Sequence, residues 1–219
     1  MKDLKGKVAL VTGAAMGMGR SLSEDLLREG CSVILVDVNQ QELSKTLADL
    51  LKIGKCASYI CDISDRKAVY QLASQVEKKF GQVDILVNNA GIVKALELLD
   101  LPDDAIEKTI NINLTAQFWT CKAFLPAMIK KGQGHIVNFA SAGGILALPN
   151  LSAYCASKFG VVGFSDALRQ EMKKHKYNIG VTYVCPNTVN TGMFEGSKNG
   201  CRYQDAFRLR CDQKSDQGH

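Results

Sequence analysis

Six short, almost continuously apolar runs punctuate this chain, and each of the first five leads into a longer stretch of helical periodicity. Lys7–Thr12 (KVALVT), Ser32–Asp37 (SVILVD), Ala57–Ile60, Ile85–Asn88 (ILVN), His135–Ala140 (HIVNFA) and Ile179–Cys185 are rich in β-branched residues. They are too apolar to leave one face in water, so they read as strands covered on both sides. Between them Gly19–Glu29, Gln41–Leu51, Asp65–Phe80, Asp103–Lys130 and Ser152–Lys174 read as helices. Asp103 and Asp104, directly after Pro102, suit the positive end of one of them. Strand–helix alternation at this spacing predicts an α/β fold, a doubly wound parallel sheet in three layers.

The alternation stops near the end of the chain. From Asn187 onward no further strand is legible, and Lys198–His219 is polar. One domain over residues 1–194 followed by a polar tail, 195–219, partly disordered, is the expected organisation. A length of 219 residues with 46% hydrophobic and 22% charged residues fits one globular domain. The formal charge of +5 comes with no basic arm or aromatic-interleaved stripe, which argues against a nucleic-acid partner. No apolar stretch approaches the ~18 residues of a membrane span, and no export signal opens the chain. The eight cysteines show neither a disulfide framework nor a CxxC or Cys/His cluster. They read as reduced thiols in a cytoplasmic compartment, with no metal site.

Thr12-Gly13-Ala14-Ala15-Met16-Gly17-Met18-Gly19 joins the first strand to the first helix. Gly13 can turn the backbone sharply, Gly17 has no Cβ to block a pyrophosphate, and Gly19 allows close packing of helix on strand. The helix amides would then face the phosphates of a dinucleotide held beside Met18. The same glycines also suit an ordinary tight strand–helix turn. Asp37, at the end of the second strand and 18 residues past Gly19, favours the dinucleotide and a Rossmann-type sheet. A carboxylate there accepts both ribose hydroxyls and repels a 2′-phosphate, which points to NAD rather than NADP. No Gly-Lys-[Ser/Thr] follows the loop, so an ATP-binding reading fails.

Among the six tyrosines only Tyr154 has a lysine, Lys158, four residues on. On a helix that spacing stacks them on one face. A phenol is a poor base near neutrality, and a neighbouring ammonium favours its phenolate. Taken alone, the pair equally suits a core tyrosine beside a snorkelling lysine. Ser141 changes the balance, because it lies just past the fifth strand, thirteen residues before Tyr154. Open α/β sheets bind ligands at the carboxyl ends of their strands, where a hydroxyl can hold a substrate oxygen; it could also simply start a turn. Asn113, mid-helix between Ile112 and Leu114, is either a satisfied core amide or a holder of ordered water.

TGAAMGMG, NNAG (Asn88–Gly91), Asn113, Ser141 and Tyr154-x-x-x-Lys158 occur in an order and spacing that resembles the short-chain dehydrogenase/reductase family over about residues 5–194. The resemblance implies that Tyr154 is the catalytic acid/base and that Ser141 orients the substrate oxygen. It implies that Lys158 holds the nicotinamide ribose and lowers the tyrosine pKa, and that Asn113 anchors a proton-relay water. Asp62 and Ile63 match the pair that contacts adenine, Asn89 and Val189 match cofactor-lining positions, and Thr191 matches a contact near the carboxamide. YCASKFGVVGF, FLPAMIKKGQGHIV and CPNTVNTGMFEG are most similar to the branch that oxidises retinol and 17β-hydroxysteroids. Ile92, Val93, Ile145, Leu146, Leu148, Pro149, Met193 and Phe194 would then surround a hydrophobic alcohol or ketone. They could also pack internally or form a dimer surface.

The pattern departs from the family at three places. The hydrophobic anchor that opens members of that branch is not seen, Pro186-Asn187 replaces Pro-Gly, and the final helix and strand are not legible after Phe194. The expected sheet is therefore shortened at its C-terminal edge. The resemblance also implies a homodimer through Asp103–Lys130 and Ser152–Lys174, whose Phe118, Trp119, Phe124, Leu125, Phe159, Val161 and Phe164 exceed what one buried face needs. Two functions follow. The favoured one is an NAD-dependent enzyme interconverting a hydrophobic alcohol and its carbonyl; the alternative is a catalytically weak isoform serving as a nucleotide-binding dimerisation partner.

Overall fold

The computed structural model describes residues 3–187. Its elements are β1 (Val8–Thr12), α1 (Gly17–Arg28), β2 (Ser32–Asp37), α2 (Gln40–Leu50), β3 (Cys56–Ile60), α3 (Arg66–Phe80), β4 (Ile85–Asn88), α4 (Asp103–Ile110), α5 (Ala116–Lys131), β5 (Gly134–Phe139), α6 (Ser152–Lys174) and β6 (Ile179–Val184). The strands form one sheet in the order β3-β2-β1-β4-β5-β6, every pair parallel. The direction of winding reverses between β1 and β4, which opens a crevice at their carboxyl ends.

Strand alternation divides the core into two halves. Leu10, Ile34, Val36, Leu86 and Ile136 point to the layer of α3, α5 and α6, where Leu72, Phe124, Met128 and Leu168 meet them. Ala9, Val11, Val33, Leu35 and Val87 point the other way, onto Leu26, Leu27, Leu43 and Leu50 of α1 and α2. The expected three-layer Rossmann-type sheet is therefore present, and β6 is its edge among the described residues. Arg169, held by Asp166, donates to the Val181 carbonyl of that strand. No helix of the described residues is long and apolar enough to cross a membrane.

The helix expected over Asp103–Lys130 is interrupted. Asn111–Thr115 forms a π-helical turn between α4 and α5, and such insertions recur at functional sites. A second departure is the short 3₁₀ turn Ala142–Gly144 after β5, begun by the Ser141 side chain. Below the strand ends, Thr120 Oγ1 donates to Asn88 Oδ1 (2.7 Å), Asn88 Nδ2 to Asn138 Oδ1 (2.9 Å) and Asn138 Nδ2 to Ser165 Oγ (2.9 Å). This buried chain stitches α5, β4, β5 and α6 together, and satisfied networks of this kind specify a single packing. The 195–219 tail and the expectation of its disorder lie outside the described residues.

Candidate active site

The backbone leaves β1 through Gly13 at φ +66° and enters α1 through Gly17 at φ +56°, both in the left-handed region that favours glycine. A Cβ on Gly13 would stand 2.8 Å from Ala90 Cα, and one on Gly19 would run into the Gly13 carbonyl. Thr12 and Asn89 brace this loop. Thr12 Oγ1 accepts from Asn89 N and Ala90 N at 3.1 Å, and Asn89 Nδ2 donates to the carbonyls of Thr12 (2.9 Å) and Gly13 (3.1 Å). Asn39 caps α2 and Asp65 caps α3, whereas the start of α1 has no side-chain cap and no acid in its first turn. Its amides are left to face an anion.

A cleft of about 950 Å³ opens here, within the range of cofactor pockets. Gly13, Gly17, Met18, Asp37, Asp62, Ile63 and Asn89 line it, joined by Ile92 and Val93 beyond β4. Gly19 lies behind the loop and acts through packing; Val189 and Thr191 lie outside the described residues. The Asp37 carboxylate is held at the rim by two amides, Ala15 N to Oδ2 (3.0 Å) and Asn39 N to Oδ1 (2.9 Å). Asp62 Oδ1 accepts from the amide and hydroxyl of Ser64 at 2.9 and 2.7 Å.

Tyr154 and Lys158 stand one turn apart in α6, both buried. Ser141, at the exit of β5, is hydrogen-bonded to the Tyr154 phenol, and its Oγ accepts from Gly143 N at 3.1 Å. The turn lies directly on α6: a Cβ on Gly144 would stand 2.7 Å from the Lys158 carbonyl oxygen. Lys158 Nζ donates to the Phe139 carbonyl at 2.8 Å and lies 5.6 Å from the Tyr154 ring centre. Burial brings its ammonium down to about 8, with Cys185 opposing. Burial pushes the Tyr154 phenol above its ordinary range, and the Ser141 hydrogen bond works against that shift. In the protein alone, burial thus outweighs the lowering expected at the tyrosine.

Asn113 sits in the π turn with no exposed surface. Its Oδ1 accepts from Ile92 N (2.8 Å), and its Nδ2 donates to Ile92 O (2.9 Å) and Ser157 Oγ (3.1 Å). Of the two readings open to it, the side chain is a fully engaged core amide, clamping the segment after β4 onto the helices. Ser157, not singled out from the sequence, completes the clamp by donating to the Tyr154 carbonyl at 2.6 Å. Its position three residues past Tyr154 was the available signal. Thr12 and Gly91 were quoted with their motifs but given no role of their own; a Cβ on Gly91 would come 3.2 Å from Asn113 Oδ1 and 3.5 Å from Lys158 Nζ.

Val93, Leu148, Leu151 and Cys155 build an apolar wall around the Tyr154 ring. Leu146 is half-buried nearby in sequence, Ile145 and Pro149 are exposed, and Met193 and Phe194 lie outside the described residues. The surplus apolar residues of the long helices divide. Phe124 and Val161 are core, and Trp119 packs on the core beneath the Arg66 guanidinium. Phe118 and Phe159 remain exposed, and Phe118 lines a groove of about 600 Å³ between α5 and α6. Among the described residues no cluster of His, Cys, Asp or Glu is arranged to hold a metal ion, and the six cysteines are free thiols.

Residues 7–201 match the family described as short chain dehydrogenase. Epidermal retinol dehydrogenase 2 of Mus musculus is 43% identical over 203 residues, covering 91% of this chain and 66% of its own length. Estradiol 17-beta-dehydrogenase 11 of Macaca fascicularis is 41% identical over 196 residues, covering 89% and 65%. The chain spans about two thirds of the length of the curated relatives it matches. A solved short chain dehydrogenase/reductase from Burkholderia phymatum, in complex with NAD, superposes with a TM-score of 0.87 at 27% identity, covering 96% of this chain and 80% of that one.

Proposed function

The chain belongs to the short-chain dehydrogenase family, and from that premise we propose that it is an NAD-dependent oxidoreductase interconverting a hydrophobic alcohol, steroid- or retinoid-like, and its carbonyl compound. The observation that carries this reading is the Ser141–Tyr154 hydroxyl pair, with Lys158 buried beside it, next to a glycine-lined cleft. Val93 belongs to both places: it lines the cleft and packs against Tyr154. The cleft fits a dinucleotide in three respects: the uncapped start of α1, the turns at Gly13 and Gly17, and the carboxylate at Asp37. The NAD in the Burkholderia phymatum relative and the retinol and estradiol named for the curated relatives point the same way.

When bound, the dinucleotide supplies the hydride acceptor for oxidation and the hydride donor for reduction. Tyr154 handles the proton. In oxidation its phenolate takes the proton of the substrate hydroxyl, and in reduction its phenol returns one to the carbonyl oxygen. Ser141, whose oxygen is fixed by Gly143 N, donates to the same substrate oxygen. Lys158 keeps a positive charge beside the phenol and favours the phenolate. Asn113 holds the Ile92 segment, and with it the wall of the cleft, against α6. The free thiols suit a reducing, cytoplasmic compartment, and the apolar α5–α6 groove suits a homodimer.

The test is NADH formation by the purified protein with NAD and a panel of retinoid, steroid and simple secondary alcohols. Turnover on a panel member should vanish in Tyr154→Phe while the stabilisation by NAD persists. Turnover that survives the substitution would remove Tyr154 from its role. NAD binding without turnover on any panel member would favour the nucleotide-binding partner instead.

A further inference from the structure

The two ends of the sheet carry opposite charge. The cleft opens at the carboxyl ends of the strands, where Asp65 caps α3 and Asp103 and Asp104 begin α4. Each crossover helix returns the chain to the amino end of the next strand. The helices α3, α5 and α6 share one layer, so they finish at that end together. Lys78 and Lys79 close α3, Lys130 and Lys131 close α5, and Lys173 and Lys174 close α6, with Lys176 just beyond. All seven are exposed, and the acids in these turns are Glu77, Asp84 and Glu171.

Helix carboxyl ends favour cations, but that rule alone does not produce this pattern. In the opposite layer α2 has no basic residue in its last turn, and the Arg28 that closes α1 is paired with Glu24 at 2.7 Å. Lys45 and Lys52 are likewise paired there, with Glu42 and Asp49. Of the seven lysines only Lys131 has an ion-pair partner among the described residues, Asp84 at 2.7 Å. Six unpaired ammoniums on one end repel one another, and an anionic surface relieves that repulsion. Beyond α6 the backbone turns through Lys176 at φ +55° and presents Tyr177, 39% exposed, stacked on His175 at 5.5 Å.

The chemistry of the patch selects among anionic partners. Its three turns contain lysine and no arginine. Protein interfaces are depleted of lysine, and nucleic-acid recognition leans on the bidentate arginine fork. Hydrated ammoniums around a tyrosine, apolar in its ring and wet at its hydroxyl, suit the headgroup layer of a bilayer. We propose that the amino end of the sheet, below α3, α5 and α6, docks on an anionic phospholipid surface through these lysines and Tyr177. The inference goes beyond the dehydrogenase reading and does not depend on it. A molecule docked this way stands upright: the six residues of β5 set the cleft about 20 Å further from the lipid, open to water.

The test is sedimentation of the full chain with vesicles of phosphatidylcholine, alone or with about 30% phosphatidylserine. Binding to the acidic vesicles alone is expected, with release as salt rises from about 0.1 to about 0.5 M. Combining Lys173→Gln, Lys174→Gln and Lys176→Asn should weaken it about a hundredfold, and Lys78→Gln with Lys79→Gln about thirtyfold. Asparagine is chosen at 176 because it tolerates the left-handed backbone there. Lys67→Gln with Lys108→Gln, exposed lysines at the starts of α3 and in α4, should leave binding unchanged. A Lys67–Lys108 variant that loses as much as the Lys78–Lys79 variant overturns the proposal, because net charge alone would then account for the binding. Equal binding to neutral vesicles, binding to neither kind, or tighter binding to duplex DNA than to acidic vesicles overturns it as well. The two lysine groups lie on different helices, so if one variant fails to fold the other decides. Failure of the dehydrogenase reading looks different, since it shows as turnover that survives Tyr154→Phe.

Discussion

Lys158 carries its ammonium to a place where the Phe139 carbonyl receives it and where burial brings its pKa from 10.5 to about 8. A lysine whose folded pKa lies below its unfolded one destabilises the fold at every pH below the folded value. That penalty is relieved as pH rises from about 8 towards 10.5. Compared with Lys158→Met, the wild type should therefore gain stability across this window, by on the order of 3 kcal/mol. Denaturant unfolding of both proteins at neutral and alkaline pH measures it, and a difference independent of pH would mean that burial does not lower the lysine in the folded protein. Tyr154 moves in the opposite sense, because burial raises it and keeps phenolate scarce at neutral pH. Oxidation should accelerate as the solution turns alkaline and reduction should slow, which kcat in the two directions will show. At the far end of the cleft, Asp37 is pinned by Ala15 N and Asn39 N and cannot turn away from a 2′-phosphate. Asp37→Arg should move the NAD-to-NADP ratio of kcat/KM towards NADP by about a hundredfold, or about 2.7 kcal/mol. Tyr154, Lys158, Ser141 and Asp37 were legible in the sequence because their spacing or their place at a strand end carries the signal. Ser157 was not, and Thr12 and Gly91, though quoted with their motifs, were given no role of their own, because each meets groups brought in by the fold: amides, or in Gly91's case two facing side chains.

At the scale of elements, the strands and most helices could be read to within two or three residues, since apolar runs and capping residues mark them locally. The π turn could not. Periodicity over Asp103–Lys130 suggests one continuous helix, because α5 carries apolar residues on more than one face and a phase shift of one residue, about 100°, leaves no mark on it. Its physical reason lies elsewhere in the chain, in the Ile92 backbone that the Asn113 amide must reach. Asn113→Ala would leave Ile92 N, Ile92 O and Ser157 Oγ without that partner inside the protein. The expected loss is about 2–4 kcal/mol of stability. Unfolding measurements should find it together with weaker NAD binding, because Ile92 and Val93 form part of the cleft wall. A variant with unaltered stability would mean that water replaces the amide and that the clamp is dispensable. The Asn88–Asn138 pair escaped the sequence for a similar reason: both residues sit in runs correctly read as strands, and only the β4–β5 register brings their amides together.

For the whole molecule, the cleft and the helical groove are two ends of one arrangement. Phe118 is 40% exposed and Phe159 45%, and the Phe118 ring lies 4.1 Å from that of Phe164. Phe118 and Phe164 line a groove together with Leu114, Leu125, Ala167 and the glycines Gly160 and Gly163. A Cβ on Gly160 would meet Leu114 Cδ2 at 2.6 Å, so glycine is what lets α6 approach the π turn this closely. Contiguous apolar surface of this kind suits association with a second copy. Leu114 is also the neighbour of Asn113, so a second copy seated in the groove would press on the turn that clamps Ile92. Phe118→Arg should therefore yield a monomer in light scattering. None of the groove residues lines the cleft, so NAD should still raise the melting temperature, by about 5–10 °C at a hundred times Kd. The rate should suffer more, since the clamp also holds Ser157, which bonds the Tyr154 carbonyl, while cofactor affinity rests mainly on the glycine loop and Asp37 and only in part on Ile92 and Val93. A dimer that persists in Phe118→Arg would move the interface away from the groove. A monomer with undiminished kcat would separate the groove from the site and leave the clamp to stand on its own hydrogen bonds.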